Sequence, residues 1–426
     1  MKAPLILGYG KKRTVLERLP QKLLGILRPA EMACHEREAG VISAALQNLP
    51  DFVRPASKVL IIGSDFTRKV GTDKFAPCII EAPLKLGFKK SQIKVLFSTG
   101  LHRAQTEEEK RALLGESFGQ IEAADHNCDA RMASYGSTSF GTEILLNPLV
   151  DWADAIILTG GINFHYFAGF TGGRKTLLPG VAERKSILQN HRLIFSRKER
   201  GFHPKVRPGQ IEGNPVAEDL QEAADIVAGK KRLYLFNTVL DSAGKICRVF
   251  SGDYKSDFMK GCAFFKALNS IKIQKKAELV IASAGGYPYD TNLIQSHKAL
   301  FHAFQAVREG GILILLAECS DGLTGKGREK DRDFSSYFNQ TLGQMDKIFR
   351  HDFDQNCNTA YSIAEKASQA KMILVSGLET ELVRRMKLIP AGNLSEAFEL
   401  VQKLSPSGIP ETYVIPNAAT LLPVLV

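Results

Sequence analysis

The chain of 426 residues has one tryptophan and seven cysteines, none of them in a Cys-x-x-Cys pair. The missing pair spacing excludes zinc-knuckle arrangements. An odd cysteine count scattered over a long chain argues against a disulfide framework, so the sulfurs are expected to be mostly reduced, buried small hydrophobes. No apolar run approaches the roughly 18–20 residues needed to span a bilayer. The start, MKAPLILGYGKKRT, has neither a long apolar core nor a small-residue cleavage site, so the expected location is the cytoplasm, with no membrane partner. Neither G-x-G-x-x-G nor G-x-x-x-x-G-K-[ST] occurs in a usable context, which sets aside the common nucleotide loops.

The formal net charge is +11. Its basic pairs are dispersed: Lys89-Lys90, Arg184-Lys185, Arg197-Lys198, Lys230-Lys231-Arg232 and Arg384-Arg385 fall in separate segments. No RNP, zinc-finger or helix-turn-helix signature accompanies them, so no nucleic acid is expected as partner. A positive cleft for a small anionic substrate or a cofactor phosphate suits the same charge.

Short apolar runs rich in β-branched residues alternate with longer amphipathic stretches. KVLIIG (58–63), IKVLF (93–97), AIIL (155–158) and LYLF (233–236) read as buried strands, as do LVIA (279–282), ILILL (312–316), MILV (372–375) and TYVI (412–415). Helices are expected over 74–86, 106–114, 295–309 and 394–403. Thr106 followed by Glu109 forms a capping-box pattern, and Gly310-Gly311 is read as closing the 295–309 helix. The alternation predicts an α/β protein with mainly parallel sheets, and the length predicts two domains. The expected division is 1–268 and 269–426. The apolar last residues could return to the first domain.

Ligands of open α/β sheets bind beyond the carboxyl ends of strands, and four such ends carry chemistry here. In Ser64-Asp65-Phe66-Thr67-Arg68 the arginine can hold a carboxylate by two parallel hydrogen bonds, and Asp65 can orient it. In Ser98-Thr99-Gly100-Leu101-His102-Arg103 a histidine lies between a strand and a capped helix, placed for proton transfer. The third, from Gly160 to Lys175, holds His165 and glycines at 160, 161, 169, 172 and 173, which permit close backbone approach and an N–H cradle for an anion; His191 follows downstream. In the fourth, GGYPYDTN leads into Gln295 and Lys298, three apart on one helical face, with His297 turned elsewhere.

Taken together, DFTR, STGLHR followed by TEEE, FHYFAGFTGGRKTLLPG, Asn190-His191, GNPV (213–216) and GGYPYDTN with Gln295 and Lys298 resemble the nickel-pincer lactate racemase family over nearly the whole chain. The resemblance implies a racemase or epimerase acting at C2 of a 2-hydroxy acid by reversible hydride transfer. Its cofactor is a nickel-pincer nucleotide, a pyridinium-3-thioamide-5-thiocarboxylic acid mononucleotide with nickel, joined to the lysine that corresponds to Lys175. It further implies His191 as nickel ligand and His102 and His165 as the acid/base pair. The same resemblance implies two α/β domains with an active-site cleft between them, 1–268 binding the cofactor and 269–426 contributing substrate-binding residues. It places Asp65, Thr67, Gly172 and Gly173 beside the cofactor and assigns Arg68, Gln295 and Lys298 to the substrate. Cofactor-biosynthesis proteins are the implied maturation partners, and a homo-oligomer stays open. Ile294 stands where lactate-acting members carry a tyrosine, and the family's later aromatic residue has no clear match, since the one tryptophan is Trp152. A sugar-acid (aldonate) 2-epimerase using the same site, or a nickel-cofactor-binding protein without turnover, are the alternatives.

Overall fold

A computed structural model describes residues 4–30, 34, 36–241, 243–325, 333–354, 356–405 and 408–426. It is α/β, with two six-stranded sheets that are parallel but for one strand. The chain divides into two compact units: one of residues 31–194 and 203–267, the other of 1–30, 195–202 and 268–426.

In the first unit the strands run, in chain order, Val59–Ser64, Ile93–Ser98, Glu122–Asp125, Ala155–Gly161, Arg232–Leu240 and Ile246–Asp253. Numbered one to six in that order, they lie side by side as 3-2-1-4-5-6, with only the last antiparallel. The central strands VLIIGS and AIILTGG are buried almost throughout. Continuous apolar runs of this kind are what a parallel sheet covered on both faces demands. The order reverses between the first and fourth strands, and that is where such sheets open a crevice. Helix Thr72–Lys85 contributes Phe75, Ile79 and Ile80 to a core with Val59, Ile61, Val95, Ile157 and Phe236.

The second unit's sheet consists of Leu23–Ile26, Ala277–Ser283, Val307–Leu316, Lys371–Val375, Ile389–Ala391 and Thr412–Ile415, all parallel. Its order reverses at Ala277–Ser283, which lies between Val307–Leu316 and Thr412–Ile415. An N-terminal hairpin, Leu5–Tyr9 with Lys12–Leu16, adds Leu5, Leu7 and Leu16 to this unit's core.

Several expectations need correction. Residues 1–30 group with the C-terminal half because Leu23–Ile26 pairs with Thr412–Ile415. Residues 195–202 join the same unit because Asp346 accepts the Gly201 N–H at 2.8 Å and Arg350 donates to the carbonyls of Ser196 and Glu199. The tail strand Leu422–Leu425 pairs with Ser270–Ile273 in its own unit rather than returning to the other. The helix read over 295–309 is Leu293–Phe304, and Gly310-Gly311 belongs to the strand Val307–Leu316. There Gly310 has φ 69° and the register slips from Ala277↔Val307 to Leu279↔Ile312, so these glycines form an irregularity in a strand and not a helix end. Cys34 and Cys247, 213 residues apart, are joined as a disulfide, an exception to the expectation of mostly reduced sulfurs. Sequence spacing cannot reveal a pairing that the fold creates between distant segments. Cys128, Cys262, Cys319 and Cys357 are buried and outside any disulfide, as expected of small hydrophobes. Among the described residues no helix is long and apolar enough to cross a membrane.

Candidate active site

Three adjacent parallel strands of the first unit end together. Ser64 lies in register with Ser98, and Ile62 with Leu158. This brings the segments following Ser64, Ser98 and Gly161 to one edge of the sheet.

After the first strand, the turn is closed by the Arg68 N–H donating to the Asp65 carbonyl at 3.1 Å. The Asp65 side chain is only 2% exposed. Its Oδ1 accepts from the Thr67 amide (3.1 Å) and hydroxyl (2.6 Å), and its Oδ2 lies 2.5 Å from His102 Nδ1. Burial alone would raise its pKa, but His102 and then Arg68 and Thr67 overcome that and hold it down at about 2. Asp65 is thus a carboxylate. It fixes the proton of His102 on Nδ1 and leaves Nε2 as the basic nitrogen. Asp65 and Thr67 therefore belong together, with Asp65 set against a histidine.

His165 lies in a small hairpin, Phe164–His165 with Gly169–Phe170. Its Nδ1 accepts the Ala168 N–H at 3.3 Å, which in the neutral ring places the proton on Nε2. The Phe167 ring connects the neighbouring groups. His165 meets it edge-on at 4.5 Å, His191 at 4.8 Å, and Lys175 Nζ lies 5.4 Å from its centroid. His191 comes from helix Arg184–Arg192. Its Nε2 is buried without a hydrogen-bond partner, and burial followed by the Lys175 charge pulls its pKa to about 3. The ring is neutral, with an unengaged nitrogen. Lys175 is lowered to about 7 by burial first and then by Arg68 and Arg174, so near neutrality much of it is free amine.

Lys175 is presented by a single turn of 3-10 helix, Gly173–Thr176. Gly172 and Gly173 have φ of 80° and 53°, in the left-handed region. A Cβ on Gly172 would lie 2.4 Å from Asn237 Oδ1, and one on Gly173 2.5 Å from the Phe258 ring. The Gly173 N–H already donates to Asn237 Oδ1 at 2.7 Å. The two glycines are thus required by packing against Asn237 and Phe258, and the Gly173 amide is not open to an anion. Arg174 points the other way: it is 1% exposed, lies over Phe258 at 4.7 Å, and donates from Nε to the Ala217 carbonyl at 3.2 Å.

Two supports went unread in the sequence. Asn237 sits inside a strand longer than the LYLF run, and a polar pair, Asn-Thr, in a buried strand was the available signal. Asp219 accepts from Asn190 Nδ2 (2.7 Å), Thr142 Oγ1 (2.8 Å) and Thr138 Oγ1 (2.5 Å), locking the helix that carries His191. Asn214 of GNPV caps helix Pro215–Ala228 and donates to the Phe167 carbonyl at 2.7 Å.

In the second unit, the loop after Ala277–Ser283 turns at Gly285 and Gly286 and enters helix Leu293–Phe304, capped by Asn292, which accepts the Gln295 N–H. Asp290 Oδ2 braces this loop by accepting the Gly10 N–H at 2.7 Å. Lys298 Nζ donates to Gln295 Oε1 at 2.7 Å, so the two share a face as their spacing predicted, with Ile294 also partly exposed. His297 is buried, its Nε2 2.8 Å from Ser362 Oγ.

Residues 9–202 match the lactate racemase N-terminal domain and residues 272–422 the lactate racemase C-terminal domain. The lactate racemase of Thermoanaerobacterium thermosaccharolyticum is 31% identical over 422 residues, covering 94% of this chain and 95% of that protein. That of Lactiplantibacillus plantarum is 31% identical over 366 residues, covering 82% and 81%. The apoprotein structure of the Thermoanaerobacterium enzyme superposes with a TM-score of 0.87 at 30% identity, over 99% of this chain and 100% of that one. A structural-genomics protein from Thermotoga maritima shares the fold at a TM-score of 0.70 and 17% identity, over 91% and 98%. With both domains matched and curated relatives aligned along nearly its whole length, the chain belongs to the lactate racemase family of isomerases.

Proposed function

We propose that the chain inverts C2 of a 2-hydroxy acid, lactate being the first to test, and that Lys175 and His191 hold a nickel-pincer nucleotide. The observation that carries this reading is the cluster on Phe167, where His165, His191 and Lys175 converge on one ring. The residues fit such a group. His191 offers a buried, neutral, unengaged Nε2, the form in which imidazole binds a metal. Lys175, with its pKa near 7, offers an amine free to form a covalent link. When bound, the group supplies a reversible acceptor for the C2 hydride, which no side chain can provide.

The protein's own residues handle the proton. C2–H is too weakly acidic for side-chain bases, so the proton moved is that of the hydroxyl. His102 accepts it at Nε2, and the resulting imidazolium is stabilised by Asp65, already ionised and in contact. His165 rests with its proton on Nε2, so one ring is set to accept and the other to donate. Inversion needs both capacities. Arg68 adds a guanidinium at the same strand ends for a carboxylate. On the second unit, the Gln295–Lys298 pair offers an amide and an ammonium on one helical face. Ile294 brings no donor or acceptor to that helical face, which favours an alkyl over a polyhydroxy acid.

The test is intact-mass and peptide mapping of protein co-expressed with the cofactor-making enzymes, with chiral analysis of L-lactate. We expect an adduct on the Lys175 peptide, nickel in stoichiometric amount, racemisation, and loss of all three in Lys175→Ala. Matured protein that racemises lactate while holding neither nickel nor adduct refutes the assignment.

A further inference from the structure

We infer that Cys34, Asp241 and Cys247 form a second metal site, for a zinc-class divalent cation, which the Cys34–Cys247 disulfide closes on oxidation. Their ligand atoms all lie within 4.8 Å of one another, and each residue is partly exposed. None of the three belongs to the Lys175 cluster, so the inference is independent of the reading above.

The carboxylate carries the argument. Asp241 lies at the connection between strands Arg232–Leu240 and Ile246–Asp253. Its Oδ1 accepts the N–H groups of Ala243 and Lys245, both at 2.9 Å. That leaves Oδ2 aimed at Cys34 Sγ, 3.7 Å away. A neutral disulfide has no use for an oriented carboxylate. Two thiolates do, because two sulfurs and one carboxylate oxygen, with water as a fourth ligand, make a tetrahedral set suited to zinc. The anchored Oδ1 is then the outer-shell support that holds a ligand's free oxygen in place.

A non-covalent clamp keeps the two cysteine segments together without the disulfide. Glu38, four residues after Cys34, accepts the N–H of Ile246, the residue before Cys247, at 2.6 Å and pairs with Lys74 at 2.6 Å. Glu38 opens helix Glu38–Ala45, and at its far end the Ala45 carbonyl accepts from Ser251 Oγ at 2.8 Å. The site therefore persists when the sulfurs are reduced.

The chemistry balances. A dithiol reductant gives two electrons and two protons to the disulfide, opens the S–S bond and becomes a cyclic disulfide. Zinc then displaces the two thiol protons, forming two Zn–S bonds and one Zn–O bond to Asp241.

The experiment uses the full chain, reduced with a dithiol and desalted without air. Zinc is titrated against a chromophoric chelator, and cobalt(II) serves as the spectroscopic probe. We expect reduced protein to bind one equivalent of zinc and to give a sulfur-to-cobalt charge-transfer band, and the oxidised protein to bind none. Cys34→Ser and Cys247→Ser should each abolish the band. Asp241→Asn, which leaves both cysteines and their disulfide in place, should weaken zinc binding at least roughly tenfold. The site is overturned if reduced wild type binds no more zinc than the Cys34→Ser/Cys247→Ser double variant, or if Asp241→Asn binds as tightly as wild type.

Discussion

Asp65 is a buried charge held by two donors from Thr67 and one from His102. Replacing it with asparagine keeps the shape and removes the charge that stabilises a protonated His102. Asp65→Asn should therefore lower kcat by roughly 10²- to 10⁴-fold, the range a general base contributes. Because imidazolium loses its counter-charge, the acid limb of the pH–rate profile should move to lower pH; an unmoved limb would assign Asp65 to packing alone. The residue was visible in the sequence as a candidate, but its partner was not. Asp65 and His102 are 37 positions apart and meet because Ser64 and Ser98 are in register on neighbouring parallel strands. Register is set by the whole sheet and has no local signature.

At the scale of elements, legibility followed how local the cause was. The Thr106 cap on helix Glu107–Leu114 was readable because both halves of the box lie within four residues, and the structure forms it with Glu109. The bulged start of Val307–Leu316 was misread because amphipathic helix periodicity continues across residues that only pairing with Ala277–Ser283 makes a strand. The turn presenting Lys175 shows the same dependence: its glycines were conspicuous, yet their reason, Asn237, comes from a strand more than sixty residues on. Asn237→Leu leaves the Gly173 N–H buried and unpaired, which should destabilise the protein by about 1–3 kcal/mol. It should also change the rate and pH midpoint of Lys175 acylation, read by competitive labelling and mass spectrometry. A stability loss without any change at Lys175 would separate the two roles.

Across the whole molecule, alternating apolar runs sufficed to announce two parallel-sheet units, since strands buried on both faces are apolar along their length. Acid sensitivity is a property at this scale. Burial drives the pKa of His302 to about 4 and that of His297 well below the usual value of 6.5. The folded protein refuses protons that the unfolded chain takes up with an ordinary pKa of about 6.5. Stability is therefore fully present above about pH 6.5 and falls as pH drops toward 4, by up to about 1.4 kcal/mol per pH unit for each histidine. Denaturant titrations of wild type and His302→Gln between pH 7 and pH 4 should differ in slope by about one proton, and equal slopes would exclude His302 as a source. The discontinuous make-up of the two units has a temporal consequence. A chain emerging from the ribosome exposes Leu23–Ile26 long before its sheet neighbour Thr412–Ile415 exists. The unit holding Lys175 is complete once residue 267 has been made, whereas the sheet of the other must wait for Thr412–Ile415. The nascent protein thus acquires its lysine-bearing half first, while strand Leu23–Ile26 waits for its partner.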